Sequence, residues 1–168
     1  MSGPRVAGIV GWKNSGKTGL MERVIADLAG RGLNVASIKH AHHDADVDVP
    51  GTDSYRHRAA GARQAILATP RRWALMTELG DAGEPGLAAL VARLGPCDVV
   101  LVEGFKGEGH ARIEAHRTAT GRAPMAPGDA GIRAVASDGA PDVPCPVLPL
   151  GDAGAVAAFL LAIAEPLA

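Results

Sequence analysis

VAGIVGWKNSGKTGL, Val6–Leu20, sets an apolar run before Gly11, passes four residues, and opens an amphipathic segment at Gly16-Lys17-Thr18. The spacing is G-x-x-x-x-G-K-[ST], and phosphate chemistry requires those residue types there. Glycines let the backbone wrap closely enough for successive N–H groups to point at phosphate oxygens. The helix that follows aims its positive end at the same anion. Lys17 then reaches the β- and γ-phosphates as the catalytic cation, and the Thr18 hydroxyl takes a Mg²⁺ position. Gly11, Asn14, Ser15, Gly16, Lys17, Thr18 and Gly19 are the expected nucleotide contacts. The flanks agree with this reading. Arg5–Val10 reads as a short buried strand, Leu20, Val24, Ile25 and Leu28 recur at helical spacing, and Gly30–Gly32 stops the helix.

The chain of 168 residues is one domain's worth, so residues 1–168 are expected to form a single nucleotide-binding domain. Lys+Arg 17 against Asp+Glu 18 gives a net charge of −1, which supplies no global field for nucleic acid or an anionic membrane. Aromatic residues at 3% argue against base-stacking platforms. Cys97 and Cys145 form no metal-type pair and read as reduced core thiols. The N-terminus carries no lysine-flanked apolar core followed by a cleavage site, so it is not expected to be a signal peptide. Ala153–Ala164 falls short of the roughly 20 residues of a membrane span. A soluble cytoplasmic protein is the expectation.

Beyond the first helix, Asn34–His40 reads as a second strand and Ala41–Ser54 as a polar loop. Tyr55–Ala62 predicts a short helix capped by Asp53 or Ser54. RQAILAT and RWALMTEL, parted around Pro70-Arg71, predict a hairpin. Leu87, Leu90, Val91 and Leu94 line one helix face, and Asp98–Gly104 is a buried parallel strand. Arg112–Arg117 is a further strand, and Thr118–Gly131 a loop whose small and proline residues favour mobility. IRAVAS and CPVLPL are the last strands, and a final helix carries Val156, Phe159, Leu160 and Ile163 behind an Asp152 cap. The pattern is α/β with a mostly parallel sheet flanked by helices. The loops after Val10, Lys39, Val102 and Ala136 should meet at its carboxyl edge.

Glu103 ends the apolar VVLV run, where P-loop proteins place an acid near Mg²⁺. His40, His42, His43, Asp44, Asp46, Asp48 and Asp53 follow the second strand. They read either as a γ-phosphate and Mg²⁺ switch in which an aspartate positions water, or as a transition-metal site, or as a solvated polar loop. Asp53 is the candidate catalytic residue and Asp44 the candidate metal ligand. Asp138, just past a strand end, reads either as a carboxylate for guanine N1 and N2, although the N-K-x-D motif is absent, or as an ordinary turn aspartate before Gly139. Lys13 follows Trp12 and so misses the place of the dimer-bridging lysine of a related P-loop subclass.

Taken together, GWKNSGKT, KHAHHDADVDVPGTDSYRHRAAGA, RWALMTE, DVVLVEGFK, IEAHR and AVASD resemble the MobB family of molybdopterin-guanine dinucleotide biosynthesis adapter proteins. The resemblance runs from the Gly11 loop to about Asp138 and is weakest in Thr118–Gly131. It implies a P-loop NTPase-type fold with the hairpin as an antiparallel extension, homodimerisation, and GTP binding with weak GTPase activity; RWALMTE is then dimer interface, sheet extension or plain hairpin core. It also implies help to the guanylyltransferase that acts on molybdopterin. Thr18 and Glu103 would then lie near Mg²⁺, and Arg71, Arg72 and Lys106 would face a pterin phosphate, the partner enzyme or solvent. The alternatives are a small-molecule kinase or ligase of the dethiobiotin-synthetase type, which shares the VEG-like strand end, and a metal carrier resting on the histidines.

Overall fold

In the computed structural model, which describes residues 3–41 and 47–167, Arg5–Val10 forms strand β1 with its last five residues buried. Helix α1 (Lys17–Gly30) and strand β2 (Val35–Lys39) follow, then helix α2 (Asp53–Ala59) and strands β3 (Gln64–Ala68) and β4 (Trp73–Thr77). Helix α3 (Leu87–Val91) precedes β5 (Val99–Glu103), β6 (Arg112–His116), β7 (Ile132–Ser137) and β8 (Val147–Pro149). Helix α4 (Ala153–Ile163) and the two-residue strand β9 (Glu165–Pro166) end the order. The chain forms two units, one running to His40 and resuming at Gly86, the other Ala41–Pro85.

The first unit is built on a sheet ordered β2-β5-β1-β6-β7-β8, all parallel, with β9 adding antiparallel to β1. Both sheet faces are covered, which is why β1 and β5 are near-continuous apolar runs. Ala7, Ile9, Leu101 and Ile113 pack with Leu20, Val24 and Leu28 of α1 and Val156 and Leu160 of α4. Val6, Val100 and Val102 pack on the other face with Leu87 and Phe105. Pairing of β1 with β6 begins only at Gly8, and Glu165-Pro166 of β9 lies opposite Arg5 and Val6. This small strand is an addition to the predicted elements.

Residues 118–131, expected as a loose loop, are tied down by side chains of β6. Arg112, Glu114 and His116 are all buried polar residues. The Arg112 guanidinium donates to both carboxylate oxygens of Asp129 at 2.8 Å. The Glu114 carboxylate accepts from the backbone N–H of Met125 and Ala126 at 2.8–3.0 Å. His116 Nε2 lies 3.2 Å from the Arg122 carbonyl and Nδ1 3.0 Å from Ser137 Oγ. Asp152 caps α4 as expected, accepting from Ala155 N–H at 2.9 Å.

In the second unit the cap of α2 differs from expectation. Thr52 occupies the N-cap position, with Asp53 already in the first turn. The buried Asp48 carboxylate accepts from the Thr52 and Ser54 hydroxyls, so Ser54 faces that anion and does not cap. The predicted hairpin is present as a two-stranded antiparallel sheet of its own, with Ile66 opposite Leu75 and Ala68 opposite Trp73. Ala65 and Met76 are its buried pair, whereas Ile66, Trp73 and Leu75 are exposed. Among the described residues no helix is long and apolar enough to cross a membrane.

Candidate functional site

The carboxyl ends of β1, β2, β5, β6 and β7 share one edge of the parallel sheet, and β1, the strand entering the Gly11 loop, is central. In an open α/β sheet this edge is the ligand crevice. Gly11 has φ 151° and Gly16 φ 89°, and Asn14 between them also takes a positive φ of 65°. A β-carbon on Gly11 would lie 2.4 Å from the Ala115 carbonyl oxygen, so the loop turns against β6 only with glycine there. Helix α1 begins at Lys17 with Gly16 as N-cap, no side-chain cap and no acid in its first turn. Its leading N–H groups are thus left for an external anion. Ser15 is buried, and its Oγ has no hydrogen-bond partner among the described residues.

Side chains complete the arrangement. Lys17 Nζ donates back to the Trp12 carbonyl at 2.6 Å. Burial, with Lys106 and Lys39 nearby, outweighs the attraction of Glu103 and holds Lys17 below the ordinary lysine range. Excess positive charge at the loop is the electrostatic complement of a phosphate group. Thr18 Oγ1 lies 3.5 Å from Glu103 Oε1, and Lys39 Nζ lies 3.6 Å from the same oxygen. A hydroxyl and a carboxylate together are hard oxygen donors, the set that suits Mg²⁺ rather than a softer metal. The Glu103-Gly104 turn is shaped by β2. His40 N–H donates to the Glu103 carbonyl at 2.9 Å, and a β-carbon on Gly104 (φ 97°) would meet the His40 Cβ at 2.9 Å. His40 also stacks on Phe105, their ring centroids 4.6 Å apart.

Gly11, Asn14, Ser15, Gly16, Lys17, Thr18, Gly19 and Glu103 are therefore gathered at one loop and one strand end. Asp138 sits past the end of β7, where its Oδ1 accepts from Thr118 N–H at 2.8 Å and Thr118 Oγ1 at 3.2 Å. The backbone bond from Thr118 chiefly holds its carboxyl below the usual aspartate value. Asp53 is exposed and belongs to the second unit. Asp44, His42, His43 and Asp46 lie outside the described residues. Among the described residues no group of three or more His, Cys, Asp or Glu is placed to hold a metal ion.

Two arginines escaped the sequence reading. The Arg117 guanidinium packs on Gly16, with Nε 2.9 Å from where a β-carbon would stand. Arg122 lies over the Trp12 ring, 5.5 Å from its centroid, and Lys106 lies 5.3 Å from the same centroid. Trp12 Nε1 donates to the Ala123 carbonyl at 2.9 Å. The one signal for Arg117 was its place directly after a strand ending at the same carboxyl edge.

The model of a protein family, MobB, molybdopterin guanine dinucleotide synthesis protein B, matches residues 6–138. A molybdopterin-guanine dinucleotide biosynthesis adapter protein of Escherichia coli K12 is 42% identical over 153 residues, covering 89% of this chain and 87% of that protein. One from Haemophilus influenzae is 44% identical over 110 residues, covering 66% and 62%. A crystal structure of molybdopterin-guanine biosynthesis protein B superposes with a TM-score of 0.71 at 26% identity, covering 94% of this chain and 98% of that one. The fold of Bacillus subtilis MobB is likewise similar, with a TM-score of 0.73 at 19% identity and coverage of 96% and 98%. On its sequence match and on the fold that carries its phosphate loop, the chain belongs to the MobB family.

Proposed function

We propose that this protein is a GTP-binding adapter in the guanylation of molybdopterin. It holds GTP and Mg²⁺ at the Gly11–Thr18 loop, hydrolyses the nucleotide slowly, and docks on the guanylyltransferase as a cytoplasmic homodimer. The observation that carries this reading is the anion-ready loop with Thr18 and Glu103 3.5 Å apart, in a member of a family whose relatives are named as adapter proteins. Bound Mg²⁺ would be held by Thr18 and Glu103 and would neutralise charge on the β- and γ-phosphate oxygens. Lys17 exchanges the Trp12 carbonyl for phosphate, and the backbone of Gly11–Gly19 orients the chain of phosphates. Asp44 is a further candidate for the metal, and Asp53 for orienting water. Asp138 reads guanine; Oδ1 already accepts from both Thr118 N–H and Thr118 Oγ1, so the two acceptor positions of Oδ2 are the ones offered to the base. The free thiols Cys97 and Cys145 accord with a reducing compartment. Arg71 and Arg72 at the hairpin turn and Lys106 beside the loop are the cations offered to the partner or to a pterin phosphate.

Titration with GTP and with ATP, each with and without Mg²⁺, tests this in the wild type, Asp138→Ala and Glu103→Gln. The expected result is Mg²⁺-dependent preference for GTP. Asp138→Ala should lower GTP affinity alone, by about 5- to 100-fold for one charge-assisted contact. Glu103→Gln should abolish the gain from Mg²⁺. Equal or tighter ATP binding would remove the guanine reading and return Asp138 to its role in the Thr118 turn.

A further inference from the structure

Beside the phosphate loop is a cavity of about 490 Å³ whose lining includes Trp12, Lys13, Asn14, Arg117, Thr120 and Arg122. Three of these side chains are cations, and Asn14 adds an amide. Among the described residues no carboxylate lines it. In a chain of net charge −1 this is a local concentration of hydrogen-bond donors, and phosphate is an acceptor-only group of matching charge. The cavity adjoins the cradle and shares Asn14 with it. The loop contributes Trp12, Lys13 and Asn14 to the lining, whereas Lys17, Thr18 and Glu103 are not among the lining residues. Arg117 joins the two, because its guanidinium rests on Gly16 while also lining the cavity.

The walls are held in place by bonds that a loose surface cleft lacks. The Thr120 hydroxyl donates to the Arg117 carbonyl at 2.8 Å and receives Arg122 N–H at 3.3 Å. Behind them, buried His116 faces the Arg122 carbonyl and Glu114 takes the N–H groups of Met125 and Ala126. Trp12 is tied across to Ala123. Like charges held this way repel one another unless an anion sits among them.

We infer that this cavity is a second phosphate-binding site, taking the phosphate group of a small organic phosphate beside the nucleotide. Lys13 from the loop and Arg122 from the 117–131 segment hold that group. Arg117 stands between it and the cradle. The site makes no demand on which nucleotide fills the cradle.

Trp12 is its reporter. Trp73 is exposed, and Trp73→Phe leaves Trp12 as the single tryptophan. In that protein, saturated with Mg²⁺ and a non-hydrolysable GTP analogue, inorganic phosphate should still change Trp12 fluorescence saturably. Lys13→Gln and Arg122→Gln should each weaken this second step by about tenfold or more while leaving the first step within about threefold. Arg122→Lys should restore much of it, as a lost structural contact would not. Lys17→Ala should weaken the nucleotide step and keep the phosphate step. Phosphate binding that vanishes once nucleotide is bound would overturn the proposal, as would a second step indifferent to Lys13 and Arg122. Failure of the nucleotide step alone, with phosphate still sensed, would count against GTP binding and in favour of this site.

Discussion

At Gly11 a β-carbon would stand 2.4 Å from the Ala115 carbonyl and 2.6 Å from Ser15 Oγ, in a backbone with φ 151°. Backbone strain and collision act together there. Gly11→Ala should destabilise the protein by about 1–3 kcal/mol and abolish tight nucleotide binding. Gly19→Ala is the contrast, since it lies inside α1 with only Arg23 at 3.5 Å. It should be neutral or stabilising by up to about 1 kcal/mol. Urea unfolding midpoints of the two variants check both statements. Gly11 was legible in sequence because the loop spacing is local, whereas the carbonyl it must clear belongs to a strand that begins about a hundred residues later.

The strand β6 carries the lesson at the level of elements. RIEAHR is recognisable as a strand, but Arg112, Glu114 and His116 at alternate positions would ordinarily mark a solvated face. All three are buried because residues 117–131 fold back across them and use them as hydrogen-bond partners. Glu114 is fully buried and serves two backbone N–H groups. Glu114→Gln turns one acceptor into an NH₂ facing donors, so it should cost about 1–3 kcal/mol. Hydrogen exchange should show faster exchange at Met125 and Ala126 than in the wild type, with α1 unaffected at matched stability. Protection unchanged at those two amides would deny Glu114 this role. The cap of α2 missed by one position for a related reason: Asp48, upstream of the helix, draws the Thr52 and Ser54 hydroxyls.

For the molecule as a whole, pH and assembly are the open levers. His110 is buried against Gly8, and neither ring nitrogen has a hydrogen-bond partner among the described residues. Burial first, then Arg112, lowers its pKa, against the opposing pull of Glu108 and Asp129. The unfolded chain therefore takes up this proton before the folded one. Stability should decline as pH falls below about 6.5 and go on declining until the lowered folded pKa is reached. Thermal melts from about pH 7.5 to 5.5 should show that slope, and His110→Leu should reduce it. Asp129 acts lower on the scale. Burial would raise its pKa, but the hydrogen bonds from Arg112 and Gly131 outweigh that and lower it, so its contribution is complete above the ordinary aspartate value and lost as pH falls through the folded one. On assembly, the hairpin leaves Ile66, Trp73 and Leu75 exposed, with Ile66 and Leu75 directly paired. If the proposed homodimer forms there, Trp73→Glu with Leu75→Glu should yield a monomer by sedimentation with a native circular dichroism spectrum. An unchanged dimer would place the interface elsewhere.

The sequence by itself determined the phosphate loop, the buried parallel strands β1 and β5, the helix α1 with its Leu20, Val24 and Leu28 stripe, and the family. Each of these rests on local spacing, where residue type sets backbone geometry and period within a few turns of chain. Tertiary structure alone decided that β9 closes on β1, that the polar face of β6 is buried, that Arg117 rests on Gly16, and that Trp12 is tied to Ala123 across 111 residues. Those contacts join segments far apart in the chain, and no periodicity or motif records which backbone group a side chain will meet once the sheet has brought the segments together.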